Sequence, residues 1–122
     1  KIPYATIQNQ RGELVEPTAE SISAAASGVI PADTRTSITN ADAAGAYPIA
    51  TFTWVIIYKE QNYSDRSKEQ ATATLDLLQY ILSDEAQKIT SEVHYAPLPA
   101  KAKELSMKNL KSVTYDGMPI LQ

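Results

Sequence analysis

The sequence predicts an α/β chain whose sheet is left incomplete, and three observations carry that reading. The run "IATFTWVIIY" at residues 49–58 is β-branched and aromatic almost throughout, the composition of a strand. Four stretches, at residues 18–28, 67–82, 83–93 and 99–113, carry helix caps or apolar residues at helical spacing. Finally, no second run matches residues 49–58 in apolar density, so the strand lacks neighbours for both of its edges. A buried edge left unpaired costs about 1 to 3 kcal/mol per backbone group. The sheet is therefore expected to be finished by something outside this chain, a longer polypeptide or a second copy.

Composition narrows the function classes. With 122 residues and 43% hydrophobic content, one globular domain is the expectation. A net charge of −3 offers no overall field for nucleic acid, so no nucleic-acid partner is expected. The absence of cysteine removes disulfides, thiolate metal sites and thiol nucleophiles. The longest apolar run is far shorter than the ~20 residues of a membrane helix. The opening "KIPYATIQ" carries neither an initiator Met nor a signal core, and the expectation is a removed start or a piece of something longer.

In chain order, residues 2–8 read as a short strand, and "NQRGEL" as a turn at Gly12 that returns through Leu14 and Val15. Thr18 is an N-cap, Glu20 suits the positive end of the helix dipole, and Gly28 reads as the stop. Ile22, Ala25, Ala26 and Val29 would share the buried face of that helix. Residues 31–48, polar and aperiodic, read as a long surface connection, either a route from one body of a larger protein to another or a loop with its own short helical turn near residues 40–44. The strand at 49–58 follows, and its second half, Val55 to Tyr58, is apolar on both faces, so both should be covered.

Ser67 and Gln70 form a capping-box pattern ahead of Ala71, Thr74, Leu75, Leu78, Ile81 and Leu82, a broad apolar stripe. Ser83 or Asp84 restarts a helix, with Ala86, Ile89 and Val93 as its buried face. Pro99 suits the first turn of a last helix reaching about Val113, and "TYDGMPILQ" closes as a turn and an extended tail.

The chemistry-bearing residues are few. His94, the only histidine, has no partnered nucleophile or metal companion and reads as a helix-exit residue. Asp84 and Glu85 sit where a helix start welcomes negative charge, so capping explains them better than paired-acid catalysis. Lys101, Lys103, Lys108 and Lys111 make residues 101–122 net positive, a solvated face before it is a docking surface. Phe52 and Trp54 read as core aromatics rather than a stacking platform. Three candidates remain for an anion: Arg35 within "TRTS", and the hydroxyls of Thr51 and Thr53 at the start of the strand. No phosphate-cradling Gly-rich loop is present, and no cofactor, metal or catalytic residue is expected.

Three segments then carry a family resemblance. "ELVEPTAESISAAA" at 13–26, "YPIATFTWVIIYKEQ" at 47–61 and "YAPLP" at 95–99, the last preceded by "LLQYILSDEAQKI", resemble in order and spacing the C-terminal part of the phosphate-binding receptor of bacterial phosphate ABC importers, the PstS type of periplasmic binding protein. The resemblance implies a type II, two-lobed fold that closes on inorganic phosphate and delivers it to ABC permease subunits, outside the cytoplasm, as a binder and not an enzyme. Residues 1–46 would then be the end of the second lobe and the connecting loop, and residues 47–122 the return strand and closing helices of the first. The family's Arg and Ser-Gly-Thr cluster has no counterpart here, since "SGV" at 27–29 lacks the Thr, and the resemblance transfers no ligand role to any residue. The segment would supply scaffold and hinge. If it stands truncated, it would pair its open edge with a second copy. The rival readings are a freestanding adaptor that binds a protein partner through the strand edge or the Lys-rich helix, and an enzyme, for which no constellation assembles.

Overall fold

In a computed structural model that describes residues 3–121, the chain opens with a hairpin. Strand β1 (Ile7–Gln8) pairs antiparallel with β2 (Leu14–Val15), with Ile7 opposite Val15. Residue 2, where the sequence starts its first strand, lies outside the described residues. Gly12 turns the chain at a φ of 81°, a left-handed conformation that glycine takes without a Cβ penalty. Asn9 organises the turn from inside: its Oδ1 accepts from the amides of Arg11 and Glu13, and its Nδ2 donates to Glu13 and to the carbonyl of Ala46.

Helix α1 (Ala19–Ala25) starts as its sequence dictates. Thr18 caps it, and Ser21 answers from the third position to close a capping box. Its end differs from the expectation. Ala26 is the C-cap, the amides of Ala26 and Ser27 bond back to Ser23 and Ala24, and Gly28 does not take the left-handed conformation of a helix stop. The chain has left the helix axis before Val29, which is 94% exposed instead of lying on the buried face.

Residues 31–48 form no regular element, as expected, but they fold back over α1 and the hairpin. The Tyr47 amide donates to Ser21, Gly45 donates to the Glu13 carboxylate and Arg11 pairs with Asp42. Ile38, Ala46 and Ala50 are buried against Ala25 and Ala26 in a first core. The helical turn expected near 40–44 is absent, because Asn40 sits at a φ of 49° and its amide is taken by the Pro48 carbonyl.

The largest departure is at residues 49–58. They are extended but belong to no strand among the described residues, and Ile49, Trp54, Val55, Ile56 and Tyr58 are exposed, Ile56 by 92%. The expected cover on both faces is missing for a physical reason. A strand needs a neighbour for its ladder, and this segment meets one only at its end, where Glu60 forms a single parallel bridge with Thr114. Besides the buried Ala50, two side chains of the segment find partners. Phe52 packs on the first core and on a second one made by Ile30, Ala102 and Leu105, and Ile57 packs on a third made by Leu75, Leu110 and Val113.

Helix α2 (Lys68–Ile81) carries the capping box of Ser67 and Gln70 and buries Ala71 and Leu75 completely. Leu78 and Leu82 are half-buried on the third core, while Ile81 at the edge of the expected stripe is exposed. Ser83 caps α3 (Asp84–Glu92), but its apolar stripe is not the buried face: Ile89 and Val93 are exposed, Ala86 is half-buried and Gln87 is buried in their place. Two hydrogen bonds explain Gln87. Its amide donates to the Ile81 carbonyl and accepts from the Leu98 amide, tying together the chain on either side of α3. Helix α4 (Ala100–Lys111) begins with Pro99 one position outside the helix and packs, like α3, on α2. The chain ends in a second hairpin, β3 (Thr114–Tyr115) with β4 (Met118–Pro119), around Asp116 and Gly117. Both turn residues have positive φ, 52° and 74°, the pattern that matches a two-residue turn to strand twist. Among the described residues the architecture is thus four helices with two small antiparallel sheets, an α/β content without a large sheet.

Candidate functional site

The unpaired segment forms one wall of an open groove of about 860 Å³. Phe52, Trp54, Val55, Ile56 and Ile57 line one side, and Leu78 and Leu82 of α2 with Leu98, Ala102 and Leu110 at and within α4 line the other. The wall is apolar because the two helices turn their stripes toward a segment that stands off from them. Residues 33–36 lie at its polar edge.

Of the three candidate anion ligands, the structure brings Arg35 and Thr53 to this groove and leaves Thr51 outside its lining. The Arg35 guanidinium is already engaged: its Nε donates to Asp33 Oδ2 at 2.8 Å, on an exposed stretch. That hydrogen bond is the main reason the Asp33 carboxyl is held below its ordinary range. The Thr51 hydroxyl donates to the Phe52 carbonyl at 3.3 Å. No group of three His, Asp or Glu among the described residues is placed to hold a metal ion, and no helix among them is long and apolar enough to cross a membrane.

A second cluster escaped the sequence reading. Glu60 lies between residues 59–62 and the second hairpin. Its Oε1 accepts from the amides of Asn62 at 2.9 Å and Asp116 at 3.0 Å, and its Oε2 from the Thr114 hydroxyl at 2.8 Å and the Gly117 amide at 3.1 Å. Those donors, the Asn62 amide first, hold the Glu60 carboxyl at about 2. Nearby, the Gln61 amide and the Thr114 amide exchange hydrogen bonds with the carbonyls of Thr114 and Lys59, both at 2.8 Å. The dipeptide Asp116–Gly117 was a visible turn signal, but nothing local marked Glu60, three of whose four donors stand 54 to 57 positions away.

The other singled-out residues sit where capping and surface pairing place them. Asp84, in the first turn of α3, is bonded by Lys103, and that contact holds its carboxyl below the ordinary range. Lys101 pairs with Glu104 at 3.1 Å one turn along. His94 takes a φ of 63° just past the end of α3. Arg66 is held by neutral groups, the carbonyl of Gln70, the hydroxyl of Thr74 and, more loosely, Tyr63, whose ring it also covers.

No family model matches the chain. Individual curated proteins do. The phosphate-binding protein PstS of Xylella fastidiosa (strain Temecula1) is 36% identical over 102 residues, which is 81% of this chain and 27% of that protein. The chain is similar to part of a PstS phosphate-binding protein. PstS of a second Xylella fastidiosa strain, 9a5c, is 35% identical over the same extent, and PstS of Methanocaldococcus jannaschii is 29% identical over 122 residues, 93% of this chain and 31% of that protein. The chain therefore spans less than a third of the PstS proteins it matches.

Proposed function

We propose that this chain is the C-terminal part of an extracytoplasmic, PstS-type solute-binding protein that captures inorganic phosphate for ABC-type import. The observation that carries the proposal is the likeness to proteins named for phosphate binding, which extends over 81% to 93% of the chain. In this reading residues 1–46 end the second lobe of a type II fold, and residues 47–122 return to the first lobe and close it. The chain is a scaffold and hinge in a binder, not an enzyme, with the ABC permease as downstream partner. The open edge at residues 52–58 supports this reading, since an apolar segment with one bridge to a neighbour is what a strand looks like when the rest of its sheet is elsewhere. A freestanding adaptor is less well supported, because it leaves the likeness to PstS unexplained.

The main phosphate ligands would lie outside these residues, in keeping with the absence here of a counterpart to the family's Arg and Ser-Gly-Thr cluster. Calorimetry with phosphate and with sulfate tests this, on the chain itself and on a polypeptide extended to the length of its relatives. The expected result is no phosphate heat from the chain and phosphate-selective heat from the longer protein. A longer protein that ignores phosphate overturns the receptor reading. A chain that binds phosphate by itself, and loses it on Arg35→Ala or Thr53→Ala, overturns only the placement of the ligands.

A further inference from the structure

We propose that Glu60 is a latch: beside the backbone bonds of Thr114 with Lys59 and Gln61 and the hydrogen bond from the Asn62 side chain to the Asp116 carboxylate, its own carboxylate docks the turn of the C-terminal hairpin onto residues 59–62 and so holds the register in which the open segment is presented. The geometry is that of a small anion site filled from within the chain. Asp116 and Gly117 both have left-handed φ values, which turns their successive amides to one side, a concave arrangement that suits an anion. The anion is the Glu60 side chain, which takes both amides along with the Thr114 hydroxyl and, two residues along its own segment, the Asn62 amide. All four donors are neutral, so the carboxylate contributes the only charge to these bonds and each is charge-assisted. The base of the hairpin is held differently. The Ile120 amide bonds the Val113 carbonyl, the Tyr115 hydroxyl bonds the Arg66 carbonyl, and Ile120 and Leu121 pack on the third core.

This division of labour gives the latch a signature. Glutamine in place of Glu60 keeps one acceptor oxygen but turns an amide group toward donors that need an acceptor, so the turn is released while the base stays docked. The proposal stands on hydrogen bonds within the chain and is independent of the phosphate-receptor reading. The test is site-resolved amide hydrogen exchange on the full chain, comparing wild type with Glu60→Gln. The expected result is exchange about tenfold faster or more at Asn62, Asp116 and Gly117. The amides of Ile120 and of Gly12, in the first hairpin, should be unchanged. Unaltered exchange at Asp116 and Gly117 overturns the latch, and so does a uniform acceleration that includes Gly12, which marks Glu60 as a general stabiliser. Thr114→Val supplies a gentler variant, removing one of the four donors. It should accelerate exchange at Gly117 in the wild-type background and have no further effect beside Glu60→Gln, whereas additive effects of the two substitutions overturn the coupling.

Discussion

Glu60 makes a prediction with a defined sign. A carboxylate held at about 2 in the folded chain, against an ordinary 4.5, binds protons more readily when the chain is unfolded. Its contribution to stability is complete above about pH 4.5 and is lost as the pH falls toward about 2. Glu13, Asp33 and Asp84 are also held low, so the wild-type curve alone does not isolate it. The melting-temperature gap between wild type and Glu60→Gln does: it should be constant near neutrality and close as the pH is lowered through that window. At this scale the sequence was legible where partners are local. The capping boxes of Thr18 with Ser21 and of Ser67 with Gln70 span three positions, and the Ser67 box was read directly. Glu60 and the buried Asn9 and Gln87 were not read, because each has a partner beyond the local window, at Thr114, Ala46 and Leu98.

Helix α2 was legible because a capped start and a 3.6-residue stripe are properties of a short window of sequence, and α4 because Pro99 marks a place where a helix can begin. Removing the cap with Ser67→Ala should cost about 0.5 to 2 kcal/mol in urea unfolding, with unchanged slope. Leu75, fully buried on α2 against Leu110 and Val113, should cost about 2 to 5 kcal/mol as Leu75→Ala in the same measurement. The stripe of α3 misled because periodicity states which residues share a face and not whether anything covers that face. Ile89 and Val93 do share one, and in this chain it points to solvent while Gln87 turns in to tie its neighbours. Val29 failed for the opposite reason: the helix ended four residues earlier than the apolar pattern did.

Across the whole molecule, the α/β content and the missing sheet partners were both readable, the second from the mismatch between one dense strand and too few neighbours. The consequence was not: the segment is open, and its apolar side chains face a groove. Ile56 separates the two situations. Because it is exposed in this chain, Ile56→Lys should change the stability of the chain by no more than about 0.5 kcal/mol. In a receptor of the proposed kind, where the segment would be covered, the same substitution should cost several times more, and equal small losses in both would count against that cover. The three cores have a further consequence through the side chains that join them. Phe52 belongs to the margins of the first and the second, Ile57 to that of the third, and both lie on the stretch that has no ladder of its own. Communication between the cores thus runs along a backbone with little to hold it straight. Heat should melt the chain as loosely coupled regions, in a broad calorimetric transition whose van't Hoff enthalpy falls below the measured one, until a neighbouring strand stiffens that stretch and makes the three melt as one.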